Sequence, residues 1–180
     1  MTNSNEGNQE SALTTNQHFS PASDAFPVAV IVPPVVCHDL DPHTGIPFMP
    51  HIAGHAAGAL REGGHNVQAI DCFGVDCHSR KVVGEFLLMG VDENWVANNL
   101  RPETHCVFIY ARAITEFIAI ELLINKLNQT HPNTKIVLFE NIQSVTSYAL
   151  VHVADKFIEC STYPPISYCQ SSRSRKSNQI

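Results

Sequence analysis

The chain has 180 residues, 44% of them hydrophobic, enough to bury one sizeable core and too few for two domains of ordinary size. Its formal charge of −6, with only 11 Lys plus Arg, supplies no basic stripe to neutralise phosphates, which excludes DNA and RNA as expected partners. No apolar run reaches the ~18–20 residues of a membrane span, Met1 to Pro27 is polar where a signal peptide is apolar, and the six cysteines suit reduced thiols in a cytoplasmic protein.

Residues 1–26 offer too few apolar groups to offset the entropy of ordering, and are expected to be a disordered leader. The run Val28-Ala29-Val30-Ile31-Val32 is continuous, apolar and β-branched, the pattern of a strand buried on both faces of a parallel sheet, and Pro33-Pro34 ends it. A long loop to Pro50 is expected next. His51 to Glu62 then predicts a helix entered at a proline and stopped by Gly63-Gly64, with small residues that let it lie close on the sheet.

Val67 to Ile70 predicts the second strand, with Asp71-Cys72-Phe73-Gly74 as a loop at its carboxyl end. Asp92-Glu93 start a short helix carrying Trp95, Val96 and Leu100 on one side, their negative charge placed at the positive end of the helix dipole. Cys106 to Tyr110 predicts a third strand, Ile114 to Asn128 a helix, Lys135 to Phe139 a fourth strand, Ser144 to Ala154 a helix, and Lys156 to Glu159 a fifth strand. This alternation predicts a three-layer, flavodoxin-like (Rossmann-like) α/β domain over residues 27–160, with five parallel strands in the order 2-1-3-4-5. Residues 161–180 are rich in serine, hold Arg173, Arg175 and Lys176 without an acid, and are expected to form a disordered tail. That tail is read either as a natural terminus or as an interruption where a further domain would begin.

In an open parallel sheet the ligand sits beyond the carboxyl ends of the strands, near the point where strand order reverses. Four loops are therefore nominated: Pro33 to Met49, Asp71 to Asp76, Ala111 to Thr115 and Glu140 to Thr146. Arg112 stands in the third, positioned to meet an amide or phosphate, with an ordinary pair to Glu116 as the alternative. Asn141, Gln143, Ser144 and Thr146 form a polar run that suits either helix capping or a nucleotide tail.

The segment Asp41-Pro42-His43-Thr44-Gly45-Ile46-Pro47-Phe48-Met49-Pro50, followed by Leu60-Arg61-Glu62-Gly63-Gly64-His65-Asn66-Val67 and Ile70-Asp71, resembles the cobalamin-binding amino-terminal domain of B12-dependent radical-SAM proteins. The resemblance covers about Val28 to Glu159. It implies a corrinoid lying flat on the strand carboxyl ends, contacted by Asp41, His43, Thr44, Gly45, Ile46, Pro47, Arg112, Asn141, Gln143 and Ser144. It further implies a partner radical-SAM domain, separate or missing.

Methionine-synthase and mutase domains carry Asp-x-His-x-x-Gly, whose His ligates cobalt from below. Asp41-Pro42-His43-Thr44-Gly45 is one residue short of it. His43 is thus the candidate metal ligand, with a loop histidine that only hydrogen-bonds as the alternative; radical-SAM relatives often bind cobalamin without a protein imidazole. His51 and His55 share a helix face without the intervening Glu of a His-Glu-x-x-His zinc site. The cluster motif Cys-x-x-x-Cys-x-x-Cys is absent from the sequence, so no iron–sulfur cluster and no catalysis by the chain alone are expected. The rival readings are a flavin- or nucleotide-binding domain, which lacks its phosphate loop here, and a scaffold that binds no small molecule.

Overall fold

The computed structural model describes residues 25–38, 50–141 and 155–160. Strand β1 (Pro27–Val32) lies in the interior of a parallel sheet, with β3 (Asn66–Asp71) on one side and β6 (Cys106–Ala111) on the other. Strand β7 (Lys135–Asn141) extends the sheet beyond β6, and β8 (Lys156–Cys160) is hydrogen-bonded at the β7 edge. Alternate side chains of β1 serve two cores because both faces of the sheet are covered. Val28, Val30 and Val32 pack with Ala53 and Ala57 of helix α1 (His51–Glu62). Ala29 and Ile31 pack on the opposite face, with residues of α3 (Glu93–Asn99) and α4 (Phe117–Thr130).

The helix ends follow from local chemistry. Helix α1 closes in a Schellman motif: Gly64, at φ 87°, donates to the Arg61 carbonyl at 2.9 Å, and His65 donates to Leu60 at 3.0 Å. Helix α3 is capped by Asp92, whose carboxylate accepts from the Trp95 amide at 2.9 Å. A 3₁₀ turn, Ile114–Glu116, leads into α4, which buries Ala119, Ile120, Leu123, Ile124 and Leu127.

The expectation of a single five-stranded, three-layer flavodoxin-like sheet is corrected. Besides the parallel core β3-β1-β6-β7, a separate antiparallel sheet is built in the order β2-β5-β4 from β2 (Val35–His38), β4 (Arg80–Val83) and β5 (Phe86–Met89). Pro33-Pro34 ends the β1 ladder without ending extended structure, since Val35, Val36 and Cys37 resume as a strand on a new partner, β5. The supposed long loop from Pro33 therefore opens on a strand. Strands β4 and β5 form a tight hairpin through Gly84-Glu85, with Gly84 at φ 59° supplying the positive φ such turns require. The predicted loop after Ile70 holds a short helix, α2 (Cys72–Val75). Gly90, at φ 123°, links β5 to the α3 segment in close approach to α2: a Cβ there would stand 2.8 Å from the Cys72 carbonyl. The predicted helix from Ser144 to Ala154 falls outside the described residues.

Candidate functional site

The carboxyl edge of the parallel sheet gathers the starts of α1, α2 and the 3₁₀ turn, with β2 leaving it and lying against that turn. Between α1 and the ends of β1 and β3 is a cleft of about 330 Å³. Its floor is apolar, formed by Val30, Val32, Ala53, Ala57 and Ala69, and its rim carries His51, His55 and Asp71. The floor exists because Ala53 and Ala57, the inward residues of α1, are too small to fill the space a larger side chain would take. Gly54 also lines the cleft, and a Cβ placed on it would meet nothing within 4 Å among the described residues. Among the described residues no side chain caps the first turn of α1, which starts after Pro50.

Asp71 ends β3 at the point where α2 begins. Its carboxylate folds over Gly74, where a Cβ would come within 2.8 Å of Oδ2. Beneath it the Cys72 thiol is buried, and desolvation, then the nearby Asp71 charge, push its pKa up to about 12, so it is no nucleophile.

Arg112 directly follows β6. Its guanidinium Nη2 donates to Glu116 Oε1, and its backbone N–H donates to Oε2 at 3.2 Å. Glu116 is 2% exposed. Burial pushes its carboxyl above the ordinary range, and the Arg112 charge and hydrogen bonds pull the other way. The local pair offered as the alternative for Arg112 is therefore formed.

Asn141 closes β7 at the same edge, in register with Cys160 of β8. Asp41, His43, Thr44, Gly45, Ile46, Pro47, Gln143 and Ser144 lie outside the described residues. His51 and His55 come together only as neighbours on the cleft rim, and among the described residues no three His, Cys, Asp or Glu side chains are grouped to hold a metal ion. Sequence reasoning missed the small sheet beside this edge, where Cys37 and Met89 are packed with Phe73. Its signal was the Gly84-Glu85 turn between Val82-Val83 and Phe86-Leu87.

No protein-family model matches this sequence, and no curated protein matches it significantly. Among the described residues no helix is long and apolar enough to cross a membrane.

Proposed function

We propose that the chain is a cytoplasmic corrinoid-binding module, without catalytic activity of its own, that serves a radical-SAM domain. One observation carries this reading: the cleft between α1 and the ends of β1 and β3 opens at the carboxyl edge and is bounded by Pro50 and His51, where the segment bearing the cobalamin-domain resemblance enters α1. A volume near 330 Å³ is too small to enclose a corrin, so the macrocycle lies across the strand ends with one arm directed into the cleft. The free thiols Cys72, Cys77 and Cys106 agree with a reducing compartment. Catalysis is assigned to a partner because the sequence lacks the thiolate triplet of a radical-SAM cluster.

The test is retention of hydroxocobalamin through a desalting column, read from its visible spectrum. Stoichiometric retention at about 100 μM ligand is expected. Loss of all colour in the void volume rejects the reading. In the retained complex, His43→Ala reports ligation: an altered visible spectrum assigns cobalt to His43, and an unchanged one assigns base-off binding without a protein imidazole.

A further inference from the structure

The Arg112–Glu116 pair is buried unevenly. The Arg112 side chain is 29% exposed and that of Glu116 only 3%, so the negative end is sealed inside the protein and the positive end reaches the carboxyl edge. A carboxylate taken out of water costs several kcal/mol unless it is paired, which makes Glu116 an expensive residue if its sole task were a surface ion pair. Its two oxygens instead fix Arg112 at two points, the backbone amide and Nη2. The Nε and Nη1 donors find no partner among the described residues. A guanidinium held in this way keeps a preorganised edge of its planar fork available, the geometry that matches an oxyanion.

The position is also the one where a ligand is expected. Arg112 follows the last residue of β6, and β6 and β1 are adjacent strands whose connections run to opposite sides of the sheet, from β1 through α1 to β3 and from β6 through α4 to β7. The acid next to it across the sheet, Glu140, is 8% exposed and presents little negative charge to solvent.

We infer that Arg112 is an oxyanion-binding residue of the carboxyl edge, taking a phosphate or carboxylate group of the bound ligand, and that Glu116 is its positioning residue. The inference rests on the carboxyl edge being the ligand face, and names the chemistry recognised there.

The test uses the full chain at low ionic strength, with inorganic phosphate and acetate titrated separately by calorimetry. Arg112→Lys keeps the charge and loses the fork. Arg112→Met combined with Glu116→Gln removes both charges at similar volume, so it stays folded where a lone truncation would leave Glu116 buried and unpaired. Saturable millimolar binding of at least one anion is expected, weakened at least threefold by Arg112→Lys and at least tenfold by the double variant, and the tighter anion identifies the source. Glu116→Gln alone should weaken binding although the cation is retained, a change that a merely structural Glu116 would not produce. A folded double variant that binds both anions within twofold of the native chain overturns the inference, as does no saturable binding of either anion by the native chain up to about 50 mM. The corrinoid reading fails separately: anion binding then persists at Arg112 while hydroxocobalamin is not retained.

Discussion

Glu116 shows how one side chain links burial, pairing and pH. The native Arg112 guanidinium opposes the desolvation that raises the Glu116 carboxyl. In Arg112→Ala that opposition is lost and the folded-state pKa rises further above the unfolded value of about 4.3. Such a shift destabilises the fold increasingly as pH rises from the unfolded pKa towards the folded one, and levels off above it. The variant should therefore approach native stability near pH 4 and lose about 3 kcal/mol near neutrality, measured by urea unfolding at several pH values. A loss independent of pH would show that Glu116 is not the group left unpaired. Thiol reactivity tests burial in the same region of the chain. Burial, then the Asp155 charge, push the Cys106 thiol up to about 11, and Cys72 stands near 12, whereas Cys77 is exposed. Brief iodoacetamide treatment of the native protein at pH 8 should label Cys77 well before Cys72, as read by peptide mass spectrometry; early labelling of Cys72 would contradict its burial.

At the level of elements, the α3 cap and the Gly90 link carry separable costs. Burial raises the Asp92 carboxyl, but the Trp95 amide, Asn94 and Lys81 outweigh it and its pKa ends lowered. A depressed carboxylate contributes stability above its unfolded pKa and loses it as pH falls through the folded one. Asp92→Ala should cost about 1 kcal/mol at pH 7 and progressively less below about pH 4. Gly90→Ala should cost more than about 2 kcal/mol, because a methyl group at φ 123° meets the Cys72 backbone at 2.8 Å. A thermal midpoint unchanged in Gly90→Ala would place that backbone elsewhere. Helix α3 was legible because Asp92 and the Trp95, Val96, Leu100 side form a cap followed by a helical period. The β4–β5 hairpin was not. Its strands are four residues each, Val82 is apolar yet 72% exposed, and Phe86-Leu87-Leu88-Met89 runs apolar without alternation, so period 2 is masked on both sides of the turn. Pro33-Pro34 hid β2 in another way: it ends hydrogen bonding to β1 and leaves the chain free to pair elsewhere.

Across the whole molecule, the doubly buried β1 and the small-residue helix α1 place a cleft at the strand ends, and both elements can be read directly from Val28-Ala29-Val30-Ile31-Val32 and Ala53-Gly54-His55-Ala56-Ala57. The cleft itself could not be read from sequence, since it depends on how closely α1 packs and on which small residues face the sheet. Gly54 gives access to it without disturbing the core. Leucine is a better helix former than glycine by up to about 1 kcal/mol, and among the described residues the space around Gly54 is open, so Gly54→Leu should keep or raise the thermal midpoint while obstructing the cleft. The decisive measurement is equilibrium dialysis of hydroxocobalamin against the native chain and Gly54→Leu, with circular dichroism confirming equal folding. Saturable binding by the native chain and at least tenfold weaker binding by the folded variant are expected. Equal affinities would contradict the cleft as the site, and no binding by the native chain would contradict the corrinoid-binding function itself.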